Sequence, residues 1–273
     1  VSKPILLIDG DGLLYRCGFA VEKTRYAVQV DDSKFMFVDS MAEVKKAVGE
    51  LTEDRYVIWS RKTCEPVQNA MFLVKNVINK LYDRYSGYRM EIYLTPSVGN
   101  FREQIATTLK YKGNREAQQR PKHYKALAEY LVSDFGAQYS RGQEADDDLG
   151  IRATVLEGSV IVSLDKDLDQ VPGKHYNWVK EEEYDISKKE GLLNFYSQVL
   201  SGDPTDNIQG LTGIGPVKAR KLLGTAASGK DCWEIVRAAY QGEFGESGTY
   251  RAIENARLCW VRREHNQIWE PPV

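Results

Sequence analysis

Nine acidic residues fall in four short clusters: Asp9 and Asp11 in ILLIDGDG, Glu144, Asp146 and Asp147 in GQEADDD, Asp165 and Asp167 in VIVSLDKD, and Asp203 and Asp206 in SGDPTDN. Carboxylates gathered at one point repel one another and stay ionised only with strong cations among them. A donor set of oxygen alone suits Mg²⁺ or Mn²⁺ rather than zinc or copper. If the fold brings the clusters together, they make a site for two or more divalent ions.

The charges around these clusters point to a polyanion. Net charge is only −2, but its distribution is uneven. Residues 142–169 carry eight acids against Arg152 and Lys166, whereas 100–125 carry Arg102, Lys110, Lys112, Arg115, Arg120, Lys122 and Lys125 against Glu103 and Glu116. Residues 210–230 add Lys218, Arg220, Lys221 and Lys230 with no acid. An acidic centre flanked by basic segments is what metal-dependent chemistry on a phosphodiester requires. Cys17, Cys64, Cys232 and Cys259 lie far apart with no CxxC spacing, and His123, His175 and His265 are scattered, so no zinc site is expected. Free thiols in a cytoplasmic protein are the expectation. The apolar run ILLI is cut short by Asp9 and is too brief for a membrane span.

The acids need elements to position them. KPILLI, MEIYL, AQYS and SVIVSL read as buried strands, with helices predicted through LLYRCGFA, QNAMFLVKNVINKLYDRY, KHYKALAEYLVSDF and ADDDLGIRATVLEG. YAVQV, KFMFV and RYVIWS read as a strand elaboration interrupted by a helix at AEVKKAVGEL. Strands alternating with helices predict an α/β fold with a mostly parallel central sheet flanked by helices. Ligands gather at the carboxyl ends of such strands, where Asp9 and Asp165 would sit. Asp146 and Asp147 would begin a helix after Glu144, and first-turn acids are favoured by the free N–H groups there. Asp146, Asp147 and Asp148 point in different directions, so Asp148 is left out. A boundary after the acidic EEEYD stretch divides the chain into an α/β core at 1–187 and a helical region at 188–273.

GLTGIGPVKARKLL at 210–223 is the second strong signal. Gly213 and Gly215 allow backbone N–H groups to approach a phosphate closely, and Lys218, Arg220 and Lys221 follow on the next helix. This helix–hairpin–helix pattern grips DNA without reading bases.

On these residues the chain resembles the 5′-nuclease superfamily: flap endonucleases, the 5′-nuclease domain of bacterial DNA polymerase I, and especially the phage 5′-to-3′ exonucleases. The resemblance runs from Ile5 to about Leu223. It implies a PIN-like core, a helical arch at about 100–120 and a helix–hairpin–helix. It gives Asp9, Glu144, Asp146, Asp147, Asp165, Asp167, Asp203 and Asp206 the part of metal-binding acids. YKGNR at 111–115 matches the arch motif, so Lys112 and Arg115 would hold the scissile phosphate, with Arg120 nearby as a DNA contact. Gly213 and Gly215 would grip duplex DNA, with a monovalent cation such as K⁺ bound at the hairpin. One departure is visible: the family places another Asp at the end of the strand before the arch, where this chain has Thr95 or Pro96.

The resemblance implies a monomer that hydrolyses DNA at 5′ ends or flaps by a two-metal-ion mechanism, in phage replication, repair or degradation and alongside phage replication proteins. Two other readings stand beside it. One is a haloacid-dehalogenase-like phosphatase with Asp9 as nucleophile and Asp11 as acid–base. The other is a branched-DNA-binding protein whose catalysis is impaired by the missing Asp. Tyr15 and Phe19, one turn apart after the first strand, read as core aromatics, with stacking on an unpaired base near the cut as the alternative.

Overall fold

In a computed structural model, residues 3–31, 33–114 and 120–272 are described. Eleven strands and ten α-helices follow in order: β1 (Ile5–Asp9), α1 (Gly10–Ala20), β2 (Glu22–Val30), β3 (Met36–Val38), α2 (Met41–Val48), β4 (Tyr56–Cys64), α3 (Val67–Arg84), β5 (Arg89–Leu94), α4 (Arg102–Ile105), α5 (Tyr124–Phe135) and β6 (Gln138–Tyr139). They continue with α6 (Ala145–Val155), β7 (Val160–Val162), β8 (Gly173–Asn177), β9 (Glu182–Ile186), α7 (Lys188–Ser201), β10 (Gly202–Asp203), β11 (Ile208–Gln209), α8 (Pro216–Leu222), α9 (Gly229–Phe244) and α10 (Gly248–Cys259). No described helix is long and apolar enough to cross a membrane.

The chain forms two compact units. The larger comprises residues 1–12, 81–119 and 131–273. Its six-stranded sheet has the order β6-β5-β1-β7-β8-β9. All neighbours pair in parallel except β8 and β9. β1 has parallel partners on both sides, Leu7 facing Glu91 of β5 and Ile161 of β7. The connections therefore diverge from β1, which makes its carboxyl end the place where a ligand crevice forms. All five β1 residues are buried, as befits a central strand. Ile5, Leu7, Ile161, Leu149, Leu168, Val171 and Val261 share one core cluster.

β8 and β9 escape the sequence reading. In β8 only His175 and Tyr176 are buried, and β9 is the acidic stretch EEYDI at the sheet edge. An edge strand of charged residues discourages pairing with another chain and carries no apolar run to announce itself. Helical periodicity from Lys188 onward is realised in α7, α9 and α10, whose apolar faces pack around Phe195, Tyr196, Trp233, Tyr240 and Trp269. α7 starts at a capping box between Ser187 and Glu190.

β10 and β11 form a small hairpin that carries Asp203 and Asp206. Gly202 and Gly210 let its two ends meet. A Cβ on Gly210 would lie 2.1 Å from the backbone carbon of Ser201, and nothing flexible there can yield. Gly210→Ala is expected to destabilise the protein by roughly 2–4 kcal/mol in urea unfolding, as a backbone clash of this kind does.

The smaller unit comprises residues 13–80 and 120–130. Its three-stranded antiparallel sheet, β3-β2-β4, has one face covered by α2, where Val28 meets Val44 and Val48. Tyr15 and Phe19 are 37% and 41% exposed, so they are not core aromatics, and Tyr15 packs edge-on against Tyr124.

Candidate metal and phosphate site

Four elements of the larger unit bring the acids together. Asp9 ends β1, buried, with Oδ1 accepting from the Gly12 N–H at 3.1 Å and Oδ2 from the Ser163 hydroxyl at 2.8 Å. Ser163 follows β7, and its hydroxyl also accepts from the Asp165 N–H at 2.9 Å. One serine thus ties the ends of β1 and β7 together. Asp165 caps the following turn by accepting from the Asp167 N–H at 2.8 Å. Glu144 is the N-cap of α6 in a capping box with Asp147, and Asp146 lies in the first turn. Asp203 accepts from Gln198 Nε2 at 3.1 Å.

The electrostatics record how close these groups are. Burial, then the charges of Asp165, Asp9, Glu144 and Asp11, push Asp146 well above the usual carboxylate range. Burial raises Asp9 too, outweighing the hydrogen bonds from Gly12 and Ser163, with Asp165 adding to the rise. Burial, Asp165 and Asp203 push Asp167 up to about 8. Asp9, Asp11, Glu144, Asp146 and Asp165 therefore form one repelling group, and Asp165, Asp167 and Asp203 a second that shares Asp165 with the first.

Glu144 behaves differently. Burial acts to raise it, but Lys112 and Arg102 beside it outweigh burial and hold it below the usual range. Lys112 Nζ pairs with Glu144 Oε1 and lies 3.7 Å from Asp206 Oδ2. The buried Tyr111 hydroxyl donates to Glu144 Oε2 at 2.9 Å and Asp206 Oδ2 at 2.7 Å. The turn holding Lys112 is strapped to the Asp203–Asp206 loop by Lys112 N–H to Asp206 O at 2.9 Å and Asn207 Nδ2 to Lys110 O at 2.9 Å. Lys112 itself has φ +55°, a left-handed conformation that a non-glycine residue holds only when its surroundings enforce it.

Asp147 takes a different place from the one the sequence implies. It is fully buried, and Arg102 donates to it bidentately at 2.6 and 2.9 Å. The backbone N–H groups of Arg262 and Glu144 also donate to it, each at 3.1 Å. Burial would raise Asp147, but Arg102 outweighs it and keeps the carboxyl low. Arg102 further donates to the carbonyls of Leu258 and Trp260 at 2.9 and 2.7 Å. With its acceptor positions satisfied in this way, Asp147 stands behind the cluster as the anchor of a buried ion pair. Nothing in GNFRE marks Arg102 as that partner; only the tertiary fold joins positions 45 residues apart.

Asp11, one of the nine clustered acids but not among those the family resemblance names, belongs with the cluster. Burial and the charge of Asp9 push it up to about 7. Its carboxylate accepts from the Thr95 N–H at 3.3 and 3.2 Å, and the Thr95 hydroxyl accepts from the Ala145 N–H at 2.9 Å. Thr95 follows β5, so the position where an acid was expected instead holds Asp11 and the start of α6 in place. The signal was available: Asp11 is the second acid of IDGDG, in the first turn of α1.

The other predicted residues are more dispersed. Arg115 lies outside the described residues. Arg120 is exposed in the smaller unit, over the Tyr124 ring at 4.7 Å. Among the described residues of 100–114, α4 is the only α-helix. In the hairpin, Gly213 has φ +68° and Gly215 caps α8 ahead of Pro216. Gly213, Gly215, Lys218, Arg220 and Lys221 are all exposed, and Lys218 Nζ reaches the Gly213 carbonyl at 3.4 Å. The connection from α7 to α8 is longer than a tight turn, because β10 and β11 lie within it. The four cysteines are free thiols.

The donors suit a hard divalent cation, being carboxylate oxygens with neither His nor Cys among them. Among the described residues no three His, Cys, Asp or Glu side chains are arranged to hold a metal ion. Glu144 and Asp206 are engaged by Tyr111 and Lys112. The repulsion has a consequence for stability. Asp11 and Asp167 hold protons to about pH 7 and 8 when folded, against an ordinary 3.8. The folded state then binds more protons, so their contribution is fully present below about pH 4 and is lost as pH rises through 7 and 8. In EDTA the melting temperature is expected to fall by roughly 5–10 °C between pH 5 and pH 8.5. Mg²⁺ should shrink that fall, and a melting temperature that instead rises with pH in EDTA would contradict the clustering.

No sequence-family model matches the chain. Its fold is that of solved 5′-nucleases. The flap endonuclease of bacteriophage T5, in a pseudo-enzyme–product complex with DNA and metal ions, aligns with TM-score 0.59 and 18% identity over 94% of this chain and 89% of that one. The T5 5′-exonuclease with divalent zinc bound aligns with TM-score 0.58 and 18% identity over the same shares of each chain. The flap endonuclease of Methanococcus jannaschii aligns with TM-score 0.52 and 12% identity over 97% of this chain and 80% of that one.

Proposed function

We propose that the protein is a divalent-metal-dependent nuclease that hydrolyses DNA phosphodiesters from 5′ ends or at 5′ flaps. What supports this reading is the mutual repulsion of Asp9, Asp11, Glu144, Asp146 and Asp165, and of Asp165, Asp167 and Asp203, with Lys112 paired to Glu144. Similarity in fold to nucleases solved with DNA and metal ions supports this reading.

Asp9, Asp11, Glu144 and Asp146 would hold one Mg²⁺ or Mn²⁺, and Asp167, Asp203 and Asp206 a second, with Asp165 between them. Such ions supply hydroxide near neutral pH and offset charge on the phosphate and the leaving oxygen. Seven or more carboxylates would repel a DNA phosphate on their own, so ion binding must precede substrate binding. Lys112, held at the rim by Glu144 and Asp206, exchanges those partners for a non-bridging phosphate oxygen and stabilises the charge that develops there. Tyr111 fixes Glu144 and Asp206 relative to each other. Ser163 orients Asp9 and the Asp165 backbone, and Thr95 orients Asp11 and α6. Residues 188–273 form the region that holds duplex DNA, with the exposed backbone of 213–215 and the cations of Lys218, Arg220 and Lys221 on phosphates. A K⁺ ion at the hairpin belongs to the same proposal, as do a monomeric state and phage replication proteins as partners.

The phosphatase reading would make Asp9 a nucleophile, yet both its oxygens accept hydrogen bonds at the base of the cluster. It also leaves Asp203, Asp206 and the 213–221 segment without a part. The test is polarity: duplexes with a 5′ flap or a 3′ flap are incubated with Mg²⁺, each strand labelled in turn. Cleavage confined to the 5′-flap strand is expected, and cleavage only from 3′ ends would refute the proposal. Lys112→Ala should lower the single-turnover rate by about 10²–10³-fold, the size seen on removal of one charged transition-state donor. An unchanged rate would remove Lys112 from the mechanism.

A further inference from the structure

Among the described residues, the three-stranded sheet of the smaller unit has one face with exposed side chains, and its composition is unusual for a solvent face. Its other face packs on α2 through Val28, Val44 and Val48. On the open face Phe37, Ala27 and Trp59 lie in one row across β3, β2 and β4. Phe35 sits edge-on against Trp59, ring centroids 4.8 Å apart. Phe35, Phe37 and Trp59 are 47%, 75% and 46% exposed. In the next row Arg25 stands directly opposite Arg61. The outward positions of β2 and β4 (23, 25, 27, 29, 57, 59, 61 and 63) include three cations and no acid.

Like charges directly opposite on paired strands destabilise a sheet, so the Arg25–Arg61 pair invites an anion. Arg61 makes no ion pair among the described residues, and the Arg25 bond to Asp39 at 3.0 Å is exposed on both sides and readily exchanged. Phe37 and Trp59 lie two strand spacings apart, roughly 10 Å, and the arginine row lies roughly 7 Å further along the strands. Two unstacked bases fit over the aromatic row while their phosphates reach the arginines. Every base has a π-face, so such a platform binds a single strand with little regard to sequence. A two-fold dimer through the same face would set these arginines against their own copies.

We infer that this sheet face is a binding platform for single-stranded DNA, separate in the chain from the residues of the acidic cluster. The inference goes beyond the nuclease reading and needs no catalysis. The test uses the full chain in EDTA with a fluorescein-labelled 20-mer of oligo(dT), followed by anisotropy and by quenching of tryptophan emission. Phe37→Ala/Trp59→Ala is expected to weaken binding at least tenfold, and Trp59→Ala to remove most of the quenching. Arg61→Gln should weaken binding and flatten its dependence on salt. These side chains are exposed, so far-UV circular dichroism should match the parent; Arg61→Gln, which leaves the aromatics intact, serves if the double variant does not fold. Binding unchanged within twofold in both variants would overturn the inference. So would sedimentation showing that the substitutions abolish a dimer, or tighter binding of an acidic peptide than of oligo(dT). Failure to cleave any DNA, with oligo(dT) binding intact, would count against the nuclease reading alone.

Discussion

Asp146→Asn is expected to abolish cleavage while making the metal-free protein more stable. Asp146 is pushed far above the carboxylate range by burial and by Asp165, Asp9, Glu144 and Asp11. Removing its charge relieves that repulsion, so in EDTA at pH 8 the variant should melt above the parent. The same carboxylate would be an ion ligand, and its loss should reduce the cleavage rate by about 10³-fold or more, corresponding to roughly 4 kcal/mol of transition-state stabilisation. The melting-temperature gain on adding Mg²⁺ should shrink in parallel. Opposite signs for stability and activity distinguish a functional cluster from a structural one. Cleavage near the parental rate, or a variant less stable than the parent in EDTA, would tell against this placement of Asp146.

Arg102→Met carries the largest expected loss of stability. Arg102 is 3% exposed, and burial acts to lower its pKa, but Asp147 outweighs burial and keeps it charged. Its guanidinium joins α4 to Asp147 of α6 and to the carbonyls of Leu258 and Trp260 at the end of α10. Removing it leaves Asp147 as an uncompensated buried charge, at about 3–5 kcal/mol in urea unfolding. Arg102→Met/Asp147→Asn should be less destabilised than the sum of the single variants, because the orphaned charge is gone. Cleavage should fall in Arg102→Met as well, since Arg102 Nη1 also lies 3.6 Å from Glu144 Oε2 and helps to keep that carboxylate ionised. A loss below about 1 kcal/mol would mean that Asp147 is solvated or protonated in the folded protein.

The parallel sheet was legible because its central strands are uninterrupted apolar runs. ILLID and VIV need no alternation when both faces are buried. α3 declared itself through Val74, Ile78 and Leu81, all buried. β8 and β9 were silent for the opposite reason: a short strand and a charged edge strand offer no apolar pattern. In the site, the charge of Asp165 pushes up Asp9 and Asp146 and, with Asp203, pushes up Asp167, and strand ends and a helix start are where the sequence put Asp9, Asp165 and Asp146. Asp147 illustrates the limit. Adjacent residues in a first helical turn point about 100° apart, so spacing alone could not say which faced the cluster. The deciding partner, Arg102, is remote in sequence. The part of Tyr111 was equally hidden, since a lone hydroxyl beside an acid carries no pattern, whereas Thr95 stood out only as the residue in place of the family's acid. Asp11 is among the clustered acids but is not one that the family resemblance names, although the same DGDG turn that presents Asp9 also brings it to the cluster.

The most direct measurement is the rate of product release from a 5′-flap duplex, labelled at the 5′ end, as Mg²⁺ is titrated into EDTA-treated protein. No cleavage is expected before Mg²⁺ is added, then a rise that saturates with it, and short products from the 5′ side. Tight binding of the flap with no hydrolysis at any Mg²⁺ or Mn²⁺ concentration would contradict the nuclease reading, and would leave a protein that recognises branched DNA without cutting it.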